Sequence, residues 1–255
     1  MPDSKTLDVL AIGAHPDDVE LSAGGTVCVL VEKGYQVGIA DLTRGELGSR
    51  GTAEIRAQEA AASAKILGIA VRDNLGVSDG NIENSAENRE KVIRVLRRYQ
   101  PKMLLITAPD CRHPDHGNAT RLVTEAVFFS GLTRIEVRDD DGQILKPWRP
   151  THVLHFMQSI EFIPTIVVDV SSVWERRMKA LRAFGSQFHN PDYEGKSDEP
   201  ETFVSNAGFM KLVEARAISY GYRVGAEYGE PFLYRHGPMG TDDPMAMLQK
   251  DKLFR

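Results

Sequence analysis

Residues 9–20 of the chain read VLAIGAHPDDVE and place a run of apolar residues directly before a cluster of ionisable ones. The apolar run at residues 9–12 predicts a strand covered on both faces, as in a parallel sheet. After a glycine come His15, Asp17 and Asp18. Because open α/β folds bind ligands at the carboxyl edge of the sheet, this segment predicts a functional site at that edge.

Ionisable groups so close together cannot all be buried unless something neutralises them, because an unpaired buried charge costs several kcal/mol. A divalent metal is a simple neutraliser, and imidazole and carboxylate are good zinc ligands. A catalytic zinc keeps about three protein ligands and leaves one position open for water. Since the local segment supplies two ligands, a third is expected from elsewhere in the chain.

A second polar segment, CRHPDHG at residues 111–117, also follows an apolar run, residues 103–108, and precedes a helical pattern. In a parallel sheet both loops open at the same edge, so this segment offers the third ligand. Each segment alone is equally consistent with an ordinary strand-to-helix loop whose Asp caps the next helix. Two of them at equivalent positions favour a metal site.

At these residues the sequence resembles the LmbE-like, or PIG-L-type, zinc-dependent N-deacetylases, which remove acetyl from N-acetylglucosamine derivatives. The family's first motif, His-Pro-Asp-Asp, matches residues 15–18, and its second, His-Pro-Asp-His, matches residues 113–116. The segment TRGELGSRGT at residues 43–52 and the following Arg56 look like the bacillithiol-pathway branch, whose enzymes deacetylate N-acetylglucosaminyl malate. The resemblance covers about residues 7–232 and implies a homo-oligomer, a hexamer in this family.

The metal ligands are assigned to His15, Asp18 and His116, which would hold one Zn²⁺ per subunit, although the same donors suit iron or cobalt. Such a metal lowers the pKa of bound water towards about 7, so that hydroxide can attack an amide carbonyl. Asp17 adjoins a ligand and is the candidate general base, the role that the family pattern also implies. The alternative is that Asp17 caps the next helix.

His113 and Asp115 flank Pro114, so that Asp115 could orient the imidazole of His113 and raise its pKa. The resemblance implies that His113 is the acid that stabilises the oxyanion or protonates the leaving amine. The alternative is a histidine that only supports a metal ligand. Family members also carry a tyrosine near the reacting carbonyl, where this chain aligns Phe203, with Tyr193 ten residues earlier. Either Tyr193 or His113 is then expected to meet the oxyanion.

Four residues are candidate substrate contacts. Guanidinium groups hold carboxylates through paired hydrogen bonds, so Arg56 and Arg112, which match substrate arginines of the bacillithiol branch, would bind a malate group. Glu46 and Arg50, in the glycine-rich loop, are candidates for contacts with sugar hydroxyls and the acid moiety. Without the resemblance, Arg56 on a helix would be typical of a solvated surface.

Strand and helix patterns alternate along the chain. Strands are predicted at residues 7–12, 35–42, 71–75, 103–108, 151–158 and 165–170. Helices are predicted at residues 21–33, 52–67, 85–100, 117–130, from residue 172 with a capping box of Ser172 and Glu175, and at 206–220. This order predicts a single α/β domain, residues 1–255, with a Rossmann-like, mostly parallel sheet, helices on both faces, a core at 7–232 and a tail at 233–255.

Composition excludes several classes of function. With 42% hydrophobic and 26% charged residues the chain is typical of globular proteins, and its net charge of −5 argues against a nucleic-acid partner. No apolar run approaches the roughly 18 residues that cross a bilayer and no signal peptide is evident, so a cytoplasmic location without membrane contact is expected. Of the two cysteines, Cys28 is predicted to lie in the core, whereas Cys111 is either a packing residue or a reactive thiol.

The leading hypothesis is a metal-dependent hydrolase that removes acetyl from a small amino-sugar substrate, N-acetylglucosaminyl malate. One alternative is the same reaction on another conjugate, such as an inositol glycoside or a mycothiol-type molecule. A different class is a non-catalytic module that binds a metal or a small molecule, since a fold never fixes function. Asp17 counts against this last class, because metal storage needs no base.

Overall fold

A computed structural model of the chain describes residues 6–190, 193, 199–235, 237 and 242. The strands are β1 Val9–Gly13, β2 Val37–Asp41, β3 Val71–Asn74, β4 Met103–Ile106, β5 His152–Phe156, β6 Ile166–Asp169 and β7 Gly229–Tyr234. The helices are α1 Asp18–Glu32, α2 Ala53–Leu67, α3 Ala86–Tyr99, α4 Pro114–Ser130, α5 Trp174–Arg182 and α6 Ala207–Tyr222. The strands form one seven-stranded sheet in the order β3-β2-β1-β4-β5-β7-β6.

The sheet is parallel from β3 to β5, and β7 runs antiparallel to both β5 and β6. The prediction of a mostly parallel sheet is therefore confirmed. Strand β7 was not predicted, because it contains Pro231, which cannot donate a backbone hydrogen bond and argues against a strand inside a sheet.

Alternate residues of the central strands face two different layers of helices. Leu10, Ile12 and Leu104 pack in one apolar cluster with residues of α3 and α4. Val9 and Leu105 pack on the opposite face with residues of α1 and α5. The predicted helices on both faces of the sheet are thus confirmed.

Helices α1 and α4 begin earlier in the chain than predicted. The first helical residues are Asp18 and Pro114, where the sequence patterns placed Leu21 and Gly117. Proline is favoured at a first helical position, since the N–H that it lacks would have no partner within the helix there. Both motifs therefore end in the first turn of a helix, where the N–H groups of Asp18 and His116 donate to the carbonyls of His15 and His113.

The start of α5 also differs from the prediction. A turn of 3₁₀ helix, Ser171–Val173, precedes it, and the helix begins at Trp174 without a side-chain capping bond. The predicted capping box of Ser172 and Glu175 is wrong because Ser172 already lies inside the 3₁₀ turn.

The described sheet reaches two residues beyond the predicted core, to Tyr234. Most of the tail predicted at residues 233–255 lies outside the described residues. Within the part of the chain that the structure describes, no helix combines the length and the apolar character needed to cross a membrane.

The carboxylate of Glu230 on β7 reaches the middle of α1. It accepts the N–H of Gly25 at 2.8 Å, the N–H of Thr26 at 2.6 Å and the Thr26 hydroxyl at 2.7 Å. Arg177 of α5 donates to the carbonyl of Leu21 at 2.5 Å. The missing side chain at position 25 leaves the room for this buried carboxylate, which ties the helix that carries the first motif to the antiparallel part of the sheet.

Gly25→Ala is expected to destabilise the protein by about 1–3 kcal/mol, the usual cost of overpacking. A Cβ at this position would lie 2.7 Å from Val170 Cβ and 2.9 Å from Glu230 Oε1. In the matched control Gly24→Ala, the new Cβ would meet the flexible side chain of Arg177 at 3.2 Å. Because Ala is favoured over Gly in a helix by about 1 kcal/mol, this gain should offset the close contact, and the control should be about as stable as the wild type. Urea titration gives the free energies of unfolding of both variants. Equal values would contradict the close approach of Val170 and Glu230 to Gly25.

Candidate metal centre

The two motifs meet at the carboxyl edge of β1 and β4. These strands are parallel neighbours, and Ile12 lies opposite Ile106 in their register. Residues 15–18 and 113–116 follow these strands and lead into α1 and α4, so the tertiary structure brings together segments about a hundred residues apart.

The three predicted metal ligands, His15, Asp18 and His116, converge on one point. One ligand atom of each lies within 4.8 Å of the others. Asp18 Oδ1 is 3.1 Å from His116 Nε2, and Asp18 Oδ2 is 3.6 Å from His15 Nδ1. All three side chains are buried.

This donor set fits a divalent cation. Two imidazole nitrogens and one carboxylate form the protein part of many catalytic zinc sites, which leave a further position open. The carboxylate of Asp18 is only 3% exposed, so a cation or shared protons must compensate its charge. His15, Asp18 and His116 are therefore the candidate ligands of a metal.

Two carboxylates face the other ring nitrogen of His15. Asp79 Oδ1 lies 3.0 Å and Asp115 Oδ2 3.3 Å from His15 Nε2. Asp115 Oδ2 also accepts the N–H of Gly80 at 2.8 Å. This arrangement assigns the ring proton to Nε2 and leaves Nδ1 as the nitrogen for a metal, as is usual when a carboxylate orients a ligand histidine.

The Asp115 carboxylate is 3.3 Å from His15 Nε2 and forms no hydrogen bond with the imidazole of His113, although it lies within 4.8 Å of a His113 ring nitrogen. His113 Nδ1 instead accepts the backbone N–H of Asp115 at 3.3 Å. The charge of Asp115 raises the pKa of His113 as predicted, but burial and the neighbouring imidazoles of His15 and His116 outweigh it, so that the pKa is lowered. Asp115 therefore positions a candidate metal ligand and not the candidate acid.

Asp17 occupies the N-cap position of α1 without capping it. Its side chain makes no capping hydrogen bond, and Oδ2 instead accepts from the Arg56 guanidinium at 3.0 Å. Its φ angle of 123° lies in a region that non-glycine residues rarely adopt, and such strain concentrates at functional sites. Burial raises the pKa of Asp17 to about 7, although the charge of Arg56 acts in the opposite direction.

Arg56 lines the same cavity but is committed to partners inside the protein. Its NH2 group donates to the carbonyl of Pro16 at 2.6 Å as well as to Asp17, and its NH1 group donates to the carbonyl of Gly45 at 3.3 Å. The side chain is buried, so Arg56 is not a solvated surface residue. These contacts hold the strained backbone before α1 and fix the carboxylate of Asp17.

Of the other three predicted substrate contacts, one lines the cavity and two form hydrogen bonds within the protein. Arg112 lines the cavity and lies 4.7 Å from the ring centroid of Phe203. Glu46 accepts the N–H of Arg44 in its own loop and the N–H of Asp79 in the loop after β3. Arg50 donates to the carbonyl of Ser186 at 2.8 Å. Glu46 and Arg50 therefore brace loops, and Arg112 remains the candidate for a contact with substrate.

A cavity of about 650 Å³ opens beside the centre, a volume suited to a small molecule. The candidate ligands and Asp17 line one side. Most of the apolar lining comes from α6 and the residues before it: Phe203, Val204, Phe209, Leu212 and Val213.

The aligned Phe203 lies in this apolar lining, where it offers no hydroxyl group. Tyr193 is not among the described residues that line the cavity, and its ring lies 5.6 Å from the Arg50 guanidinium carbon. Of the two candidates for the oxyanion contact, His113 is the one that the structure places at the cavity.

Three contacts of the centre were not found from the sequence. Asp79 follows β3, and Gln158 follows β5 and donates to Asp18 Oδ1 at 3.1 Å. Cys111 Sγ lies 3.0 Å from His116 Nδ1. Although burial acts in the opposite direction, the hydrogen bond with His116 lowers the pKa of the Cys111 thiol to about 6. The signal that could have identified the first two is a polar residue at the end of a predicted strand, for Gln158, or in the loop that follows one, for Asp79.

Comparisons with known proteins agree with the fold and the centre. Residues 10–127 match the family model PIG-L, described as GlcNAc-PI de-N-acetylase. Diacetylchitobiose deacetylase of Thermococcus kodakarensis is 32% identical over 87% of this chain and 80% of that protein. A probable N-acetyl-alpha-D-glucosaminyl L-malate deacetylase 2 of Bacillus cereus is 27% identical over 70% of this chain and 83% of that protein. The crystal structure of the conserved protein TT1542 of Thermus thermophilus has a TM-score of 0.81 and 32% identity, covering 93% of this chain and 98% of that one.

Fold and centre together are those of a metal-dependent hydrolase built on a Rossmann-like sheet. The chain belongs to the PIG-L, or LmbE-like, family of N-deacetylases. The resemblance found in the two motifs is thereby confirmed, as is the enzyme class that it implied.

Asp79→Ala is expected to weaken metal binding on the order of 10–100-fold, the usual effect of removing a carboxylate that orients a ligand histidine. The dissociation constant can be measured by competition between metal-free protein and a chromogenic chelator. Asp110→Ala, an exposed acid near the second motif, is the control and should bind like the wild type. Equal affinity of both variants would show that Asp79 does not orient His15.

Proposed function

We propose that the protein removes the acetyl group from an N-acetylglucosamine conjugate, with Zn²⁺ as the metal and N-acetylglucosaminyl malate as the first candidate substrate. The observation that carries this proposal is the strained, half-buried Asp17 beside the convergent His15, Asp18 and His116. A module that only stored metal would need the three ligands but not a carboxylate held beside them at the cost of backbone strain.

A divalent metal bound here would supply Lewis-acid chemistry: it would polarise the acetyl carbonyl and lower the pKa of water so that hydroxide forms near neutral pH. The carboxylate of Asp17 takes the proton of the attacking water. Its orientation is fixed by Arg56, and its place in the cavity wall gives it access to the reacting group. A base within hydrogen-bond reach typically contributes about 10²–10⁴-fold to the rate.

His113 can donate a hydrogen bond to the oxyanion even though its pKa is not raised. Because Nδ1 accepts the N–H of Asp115, the neutral imidazole carries its proton on Nε2. The ring centroid lies 4.8 Å from that of His15 and 5.0 Å from that of His116, so His113 borders both candidate ligand histidines. The Nε2–H group is then the donor that stabilises the developing negative charge, while the proton that Asp17 takes from water is passed on to the leaving amine.

Two observations support the malate conjugate as substrate. The segment at residues 43–52 resembles the bacillithiol branch, and the relative from Bacillus cereus carries the malate conjugate in its name. Arg112 is the candidate contact for a malate carboxylate, since its guanidinium lines the cavity. Arg56 is a positioning residue for Asp17 instead, because its guanidinium already donates to three groups of the protein.

Acetate release from N-acetylglucosaminyl malate by zinc-loaded protein tests the reaction. Asp17→Asn should lower kcat about 10²–10⁴-fold and leave metal content unchanged, because the amide cannot take a proton. The exposed Asp110→Asn is the matched control and should retain full activity.

Two results would refute the proposal. If the wild-type, metal-loaded protein released no acetate from any N-acetylglucosamine conjugate, the result would favour the alternative of a non-catalytic binding module. An Asp17→Asn variant as active as the wild type would remove the base from the mechanism.

Arg112→Ala should raise KM for the malate conjugate on the order of 10–100-fold, with a much smaller change in kcat, because one charge-assisted contact is lost. Diacetylchitobiose and an N-acetylglucosaminyl inositol lack the malate carboxylates, so KM for these substrates should hardly change. Arg121→Ala, an exposed arginine of α4, is the control. An equal rise of KM for all three substrates would show that Arg112 does not recognise a carboxylate.

A further inference from the structure

We infer that Cys111 is a positioning residue for His116, whose sulfur fixes the tautomer and the orientation in which the imidazole meets the metal. This inference rests on the metal centre of the proposed function, but it does not depend on which substrate the enzyme uses. Cys111 lies outside the four residues of the second motif.

The two nitrogens of the His116 ring have different partners. Nδ1 lies 3.0 Å from Cys111 Sγ, and Nε2 lies 3.1 Å from Asp18 Oδ1. A neutral imidazole carries one proton, and a hydrogen-bond acceptor at Nδ1 retains it there. The lone pair of Nε2 is then directed at the point where Asp18 and His15 also converge.

The surroundings of Cys111 make its sulfur an acceptor. Besides His116, the backbone N–H groups of Ser159 and His113 favour negative charge on the sulfur, and so lower the pKa of the thiol. Three donors from different segments therefore face one sulfur atom: the loop after β4, the first turn of α4 and the segment after β5. Ser159 adjoins Gln158, which donates to Asp18, so the sulfur connects two of the segments that border the centre.

The two candidate ligand histidines are thus held by different chemistry. Carboxylates face the second nitrogen of His15, whereas sulfur faces the second nitrogen of His116. Sulfur is a weaker acceptor than a carboxylate, and only sulfur can be alkylated. Retention of the metal is therefore sensitive to the chemical state of one thiol.

The other cysteine provides a matched control within the chain. Cys28 is completely buried in α1, whereas Cys111 is partly exposed. A thiol reagent should therefore react at Cys111 first, and a change at Cys28 reports the effect of losing a cysteine that is remote from His116.

The first experiment measures zinc affinity of metal-free, full-length protein by competition with a chromogenic chelator. Cys111→Ala should weaken binding on the order of 10–100-fold, as expected when the partner of a ligand histidine is removed. Cys111→Ser, whose hydroxyl also accepts a hydrogen bond, should stay within a few-fold of the wild type, and Cys28→Ala should match it. Wild-type affinity of Cys111→Ala, or equal losses in the Ala and Ser variants, would overturn the inference.

The second experiment separates positioning from packing. Without metal, Cys111→Ala and the wild type should have the same Tm, while the rise of Tm on adding zinc should be smaller for the variant, because the rise follows metal affinity. A lower Tm without metal combined with an unchanged zinc-induced rise would show that Cys111 only packs, and would overturn the inference.

A third experiment uses N-ethylmaleimide, which adds the S–H group across its double bond and so occupies the sulfur. Alkylation of the wild type should reduce zinc affinity as Cys111→Ala does, and Cys111→Ser should be unaffected. Full alkylation at Cys111 without loss of affinity would overturn the inference. None of these measurements requires turnover, so a failure of the proposed deacetylation is distinguishable from a failure of the role of Cys111.

Discussion

The buried carboxylate of Asp18 between the imidazoles of His15 and His116 is the constraint on which the site depends. Such a group is stable in the interior only when opposite charge or shared protons compensate it. The parallel pairing of β1 and β4 makes the arrangement possible, because it brings the first turns of α1 and α4 to the same edge of the sheet. Without this pairing the two motifs would be separated and Asp18 would lack the His116 imidazole.

The neighbours of the centre show how stability and chemistry are combined. The unusual backbone of Asp17 costs on the order of 1–3 kcal/mol, which the hydrogen bonds of Arg56 to Pro16 and Asp17 help to offset. On the other side of α1, Glu230 joins the helix to β7. The helix that carries the first motif is therefore fixed at both ends of its buried half, and the carboxylates face the cavity from a rigid element.

The metal centre and the cavity wall come from different parts of the chain. The match to the PIG-L family model covers residues 10–127, which include both motifs and every candidate ligand. Most of the apolar lining comes from α6 and the residues before it, among them Phe203, beyond the matched segment. The cavity of this chain therefore combines polar residues of the matched segment, among them Arg112, with apolar residues of a later one.

The sequence alone determined the parallel sheet, the meeting of the two motifs and the convergence of His15, Asp18 and His116, because apolar runs and their polar ends are local patterns. Only the tertiary structure decided the direction of individual side chains. His113 precedes α4 with an extended backbone whereas Asp115 lies in its first turn, and the carboxylate of Asp115 approaches His15 Nε2 at 3.3 Å. Asp79 and Gln158 reach the centre because the strands before them pair with others in the sheet, so the sequence could indicate them only as polar residues near strand ends. Strand β7 likewise forms against the propensity of Pro231, because its edges are paired by β5 and β6.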